Sequence, residues 1–331
     1  MPDHSNDKRY FLFDNMRAVL IILVVWGHLL TSLIFRNDVI KTIYYFIFFF
    51  HMPAMVFISG FFSKNTEKAR DRAFKTILMP YLILNVCNYI FKMLILKEDY
   101  FGFRFFRPLW GLWYLLALFL WKFFLKDLIR IRFILPLSFL VGILSGFSKE
   151  FSTYMALGRV VCFLPFFLLG YYLKKEHIDK IKRIPRIAGF AVFIGSGVLS
   201  AVLAKNKMFG VEDLYLRSPY PEDADIEHMI IRVLVYVVAL IMIFALINLT
   251  GSQKNFLTNI GQNTMTVYVL HLFTIPLLEK LKIFNNEPYL YLVYSVITTA
   301  IISYIYTLPI VKKIYDKAMN GSINVILLKD K

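Results

Sequence analysis

The 331-residue chain is 58% apolar, with a mean hydropathy of +0.61, and it holds 33 Phe and 20 Tyr. Charged residues make up 18%, against roughly a quarter in soluble domains, so a soluble enzyme is excluded and an integral membrane protein expected. The net charge of +16 does not indicate nucleic acid, because the basic residues gather in alternate loops, and two cysteines in apolar runs (Cys87, Cys162) suggest neither a disulfide framework nor a thiolate metal site.

Ten apolar spans are predicted in one domain covering 1–331, at about 11–35, 42–63, 76–96, 109–122, 132–147, 159–173, 187–204, 229–249, 264–281 and 289–311. The expected fold is therefore all-α and polytopic. The first run is too long for a cleaved signal peptide, and no small-residue cleavage site follows it. With the N-terminus in the cytoplasm, basic residues favour the inner segments roughly two to one, which predicts both termini inside. Lys8, Arg9, the 64–75 segment, the 174–186 segment and the tail carry most of them. Arg232 lies one turn into the eighth span, where it can snorkel.

The first span, FLFDNMRAVLIILVVWGHLLTSLIF, carries three ionisable groups: Asp14, Arg17 and His28. Such groups persist in hydrocarbon where they face protein, a cavity or a ligand. Arg17 and His28 are eleven residues apart, hence on one helix face and about 16 Å apart along the axis. Asp14 is within reach of Arg17 for an ion pair. His28 suits general base work, since an alcohol needs somewhere to send its proton.

In the second span, FFFHMPAMVFISGFF, His51 sits at nearly the depth of His28, Pro53 can free a carbonyl beside a cavity, and Gly60 allows close helix packing. Two histidines lack the third ligand of a usual catalytic zinc site, so no metal is expected. The segment KNTEKARDRAFK is expected to be a charged cytoplasmic loop; Arg70, Arg72 and Lys75 either mark topology and attract anionic membrane lipid or hold the phosphates of a nucleotide-bearing cofactor.

From Arg107, Trp110, Trp113 and Tyr114 form either an aromatic belt or a stacking wall for a sugar, and Arg159 opens the sixth span beside it. The outer loop 205–228 is acidic and irregular, either a solvated connector or the cover of a cavity. His271, in NTMTVYVLH, is a further intramembrane site candidate on the cytoplasmic half of its span.

These residues resemble the acyltransferase 3 family of membrane O-acyltransferases, in particular its fucose 4-O-acetylase-like branch, over nearly the whole chain. The resemblance rests on Arg17 to His28 within DNMRAVLIILVVWGH, on HMPAMVFISGFF, on Arg70, Arg72 and Lys75 before Pro80-Tyr81, and on LWYLLAL, FLPFFLLGYYLKK and NTMTVYVLH. Lys75 stands where the family often has a second arginine, which weakens a bidentate phosphate contact.

The resemblance implies acyl transfer, commonly of acetyl from acetyl-CoA or another acyl-CoA, to a hydroxyl of a carbohydrate or lipid-linked glycan. It implies a multi-pass protein, here of a bacterial plasma membrane, acting alone or with an envelope-biosynthesis partner. In that scheme His28 is the base and Arg17 and Asp14 position. Arg70, Arg72 and Lys75 hold the coenzyme, and His51, Trp113, Arg159 and His271 line the acceptor pocket. A covalent step through a histidine, Ser32 or Ser59 is the mechanistic alternative. A sugar or glycolipid transporter is the rival class, against which no inverted repeat is visible.

Overall fold

The computed structural model describes residues 11–98, 108, 110–149, 156–205, 209–223 and 225–327. Lys8, Arg9, Arg107, the Trp110 side chain, Lys329 and Lys331 lie outside what it describes. Among the described residues every regular element is helical.

The helices run α1 Leu12–Leu30, α2 Asp38–Phe61, α3 Thr66–Ala73, α4 Met79–Leu94, α5 Trp113–Leu128, α6 Ile134–Leu144, α7 Leu157–Tyr172 and α8 Lys175–Arg183. They continue with α9 Arg186–Lys205, α10 Val211–Tyr215, α11 Asp225–Leu249, α12 Thr258–Gln262, α13 Thr264–Lys280, α14 Pro288–Ile305 and α15 Pro309–Ile326. Nine of the ten predicted spans each overlap one of these helices, and the tenth overlaps α14 and the start of α15. Six helical stretches are long and apolar enough to cross a bilayer, seven if α7 and α8, bent by 93°, count as one. The remaining helices at predicted spans, α5, α6 and α13, have 16, 11 and 17 residues.

Three departures from expectation have local causes. The charged segment 64–75 is largely helical: Asn65 caps α3 by accepting from the Lys68 amide at 3.0 Å, and its Lys, Arg, Glu and Ala residues are good helix formers. A π-helical turn, Phe74–Leu78, then joins α3 to α4. Pro80, which has no amide hydrogen and crowds the preceding turn, gives the reason for the wider ring there. The last predicted span breaks near 306–308, where Leu308 is extended and Pro309 starts α15.

Packing follows membrane rather than soluble logic. On α9 the small residues Gly189, Ser196, Ser200 and Ala204 are buried, while Ile187, Ile194, Val198 and Val202 are exposed. That inversion is what lipid-facing helices show. A very close crossing joins α2 to α7. A Cβ on Gly60 would lie 1.9 Å from the Phe167 carbonyl oxygen, and one on Gly170 would lie 1.9 Å from that of Phe57. The close packing expected of Gly60 is thus mirrored by Gly170.

α1 runs through the centre. Its start is fixed by Asn15, whose amide donates to the carbonyls of Gly251 (2.9 Å) and Gln253 (2.8 Å) and accepts from Thr258 Oγ1 (2.7 Å). Its far end is tied to α14 by Trp26 Nε1–H to Ser295 Oγ (2.9 Å) and by Tyr291 Oη–H to the Leu29 carbonyl (2.6 Å).

Candidate active site

α1 and α2 are antiparallel, so the start of α1 lies beside the end of α2. Phe13 packs on Phe61 at 4.3 Å between ring centroids, and the Arg17 guanidinium lies 4.4 Å over the Phe62 ring. Asp14 is buried and accepts a hydrogen bond from Gln262 Nε2 at 3.2 Å. α3 follows directly, so Arg70, Arg72 and Lys75 belong to this same end of the molecule. Arg70 is 3.4 Å from the Asp127 carboxylate and lies over the Phe123 ring at 4.7 Å. Arg72 and Lys75 are exposed.

The other half of α1 borders a cavity of about 320 Å³. Its wall includes His28 and Thr31 of α1, Tyr44 and His51 of α2, Trp113 of α5, Arg159 of α7 and Tyr268 of α13. His271 backs it, its ring stacked on that of His28 with centroids 5.4 Å apart and planes at 22°. That stacking brings His271, in the first half of α13, level with His28.

Backbone carbonyls set the orientation of two of the three imidazoles. His51 Nδ1 lies 2.8 Å from the Ile47 carbonyl oxygen and His271 Nδ1 lies 3.1 Å from that of Val267. Donation there makes Nε2 the bare nitrogen of each neutral ring. Among the described residues no three His, Cys, Asp or Glu side chains gather as a metal set.

A polar seam runs from the cavity toward Arg17. Tyr268 donates to the Gly111 carbonyl (2.5 Å) and lies 5.9 Å from Tyr114, whose hydroxyl meets Ser59 Oγ at 2.7 Å. Ser59 lies about one helical turn before Phe62, the ring under Arg17.

The acidic segment folds over the cavity, and this is the part that residue types alone left open. Glu212, Leu214, Tyr215 and Arg217 form its cover. The Tyr44 and Tyr215 hydroxyls meet at 2.7 Å, and Tyr45 donates to the Phe209 carbonyl at 3.1 Å. Arg217 donates to both carboxylate oxygens of Glu212, each at 3.1 Å, and Ser218 Oγ adds a bond at 2.7 Å. Burial pushes the Glu212 carboxyl up, but the bonds from Arg217 and Ser218 and the charges of Arg217 and Arg159 outweigh it and hold it below the ordinary value.

Arg232 anchors the cover rather than snorkelling. It is 6% exposed and donates to the carbonyls of Gly142 (3.1 Å) and Ser218 (2.8 Å), with the Tyr220 ring 4.4 Å away. Tyr220 in turn donates to the Ile143 carbonyl at 2.8 Å.

The structure thus brings His28, His51, His271, Trp113 and Arg159 together. It sets Asp14, Arg17, Arg70, Arg72 and Lys75 apart from them, at the other end of α1. Sequence reasoning missed Tyr44, Tyr215, Glu212, Arg217 and Tyr268. The signal available for the cover was Gly210 followed by Asp213, whose carboxylate caps α10 through the Gly210 amide at 2.8 Å.

Among curated proteins the chain is similar to the nodulation protein NolL of Sinorhizobium fredii, 40% identical over 86 residues. That stretch is 23% of this chain and 23% of NolL, so the similarity spans about a quarter of that protein's length. No solved structure matches. The profile of the acyltransferase domain family covers residues 11–307, nearly all of the helical bundle, and the chain belongs to that family of acyltransferases.

Proposed function

We propose that the protein is a membrane O-acyltransferase of the fucose 4-O-acetylase-like branch, moving an acetyl group from cytoplasmic acetyl-CoA to a hydroxyl of a carbohydrate or cell-envelope glycan. It does so as a single ten-span domain in a bacterial plasma membrane, with both termini inside. Arg70, Arg72 and Lys75 take the coenzyme phosphates at the inner surface. The pantetheine arm follows the seam past Arg17 and Tyr114, and Asp14 fixes the inner end of α1.

The acceptor enters from the side of the 211–217 cover. His28 takes the proton of its hydroxyl as the oxygen attacks the thioester carbonyl. The C–S bond then breaks, an O-acyl ester forms, and the imidazolium returns the proton to the leaving thiolate. His271 holds the His28 ring by stacking, while His51, Trp113 and Arg159 line the acceptor site. No metal is required for this step. A membrane partner from envelope biosynthesis delivers or receives the glycan.

The observation that carries the proposal is the convergence of His28, Trp113, Arg159 and His51 from four helices on one cavity. Purified protein in lipid nanodiscs tests it through acetyl-CoA binding and release of free CoA. Wild type should bind and slowly hydrolyse acetyl-CoA. His28→Ala should bind without turnover, and Arg72→Ala with Lys75→Ala should lose binding. A wild type that neither binds nor hydrolyses acetyl-CoA removes the donor from the scheme and favours transport of the sugar.

A further inference from the structure

The cover and α7 present two guanidinium groups to the cavity but a single carboxylate. Arg217 occupies both oxygens of Glu212. Arg159 is stacked between aromatic faces, with its central carbon 4.7 Å from the Trp113 ring centre and 5.9 Å from that of Tyr215. Among the described residues it has no carboxylate within ion-pair distance and no hydrogen-bond acceptor.

Stacking engages the faces of a guanidinium and leaves its edge of five N–H donors unspent. A cation in such a setting is costly unless something pairs with it. Here the wall carries one positive charge more than its own negative charge can neutralise. Arg159 also lies in the first turn of α7, where the helix dipole adds to that potential. The planar fork matches a carboxylate or a phosphate in two-point contact. His28 lines the same cavity, so an anion held by Arg159 would place its carrier beside the base.

Resting on the acyl-transfer proposal above, we infer that the acceptor is an anionic glycan, one that bears a carboxylate or phosphate on or next to the sugar, and that Arg159 is its anchor. Glu212 tunes the site from the opposite side: it neutralises Arg217 and keeps the wall at a single unspent cation.

The test uses the full chain in nanodiscs and equilibrium binding, read by tryptophan emission, of three probes: methyl glucoside, methyl glucuronide and glucose 1-phosphate. Wild type should bind one or both charged probes at least tenfold tighter than the neutral one. Preference for the glucuronide assigns the charge to an acidic sugar, and preference for the phosphate assigns it to a phosphate-linked one. Arg159→Met should bring the ratio near one, and Arg159→Lys should keep part of it. Glu212→Gln should raise it by freeing Arg217, an effect of opposite sign that survives even if Arg159→Met does not fold.

Equal binding of charged and neutral probes by wild type overturns the inference, as does a preference that Arg159→Met leaves intact. Failure of the acyl-transfer proposal is read separately, as absence of CoA release from acetyl-CoA while the charge preference stands.

Discussion

Gly60→Ala is the sharpest test of how the fold holds the cavity. The new methyl would meet the Phe167 carbonyl oxygen at 1.9 Å, the Phe167 carbonyl carbon at 2.8 Å and the Tyr171 amide nitrogen at 3.1 Å. All three are backbone, so no side chain can swing aside. Restoring ordinary contact, from 1.9 to 3.4 Å, parts α2 from α7 by about 1.5 Å in a close-packed interior. Overpacking of this kind costs about 1–3 kcal/mol, and backbone obstruction argues for the upper end. Replacing a helical glycine by alanine returns about 1 kcal/mol. The net loss expected is about 1–2 kcal/mol, a fall of a few degrees in Tm.

Gly170→Ala meets the Phe57 carbonyl oxygen at the same 1.9 Å and should cost the same. Both methyls need the same parting, so the double variant pays for it once while both helices gain alanine. It should be no less stable than either single variant. Thermal unfolding in nanodiscs checks this. Because α2 carries His51 and α7 carries Arg159, acceptor KM should rise in all three variants while acetyl-CoA binding holds. Additive destabilisation, or no loss in the single variants, would refute a shared backbone contact.

Other perturbations separate the two ends of α1. Arg232→Met removes charged hydrogen bonds from the buried Gly142 carbonyl and the part-buried Ser218 carbonyl, each worth up to about 1.5–3 kcal/mol. Limited proteolysis should then cut near Ser218, and acceptor KM should rise with donor binding unaltered. Asn15→Leu removes the donor to the Gly251 and Gln253 carbonyls, two part-buried hydrogen bonds worth about 0.5–1.5 kcal/mol each, so amide exchange should accelerate over 251–258 and not over 211–217. Glu212 titrates below its ordinary value, so its contribution to the cover is complete above the usual carboxylate range near pH 4.3 and is lost as pH falls through the depressed value. Protection from hydrogen exchange over 211–217, corrected for the intrinsic rate, should therefore fall only in acid, and Glu212→Gln should abolish that dependence.

What could be foreseen divides by the range of the contacts. Arg17 and His28 share one helix, so their common face and separation follow from helix geometry alone, and the structure keeps them at opposite ends of a polar seam. His51 beside Phe48, with ring centroids 4.6 Å apart, is similarly local. The helical nature of α3 was hidden because a charged composition resembles a loop, although the same residues are helix formers once Asn65 supplies a cap. Lengths hid the status of α5, α6 and α13, since a short apolar run fits a partial span as well as a full one.

The cover was illegible for a stronger reason. Tyr44 and Tyr215 are 171 residues apart, and Arg232 reaches a carbonyl 90 residues away. Nothing in either residue type names its partner. Arg159 and Arg217 make the same point in sharper form. As sequence they are two arginines at the same side of the membrane, each apt to snorkel or to bind. Arg217 stands five residues from Glu212, and that pair is within local reach. The chain offers Arg159 aromatic faces instead of a carboxylate, so the same residue type that closes the cover at one position leaves, at the other, a charge for a ligand to satisfy.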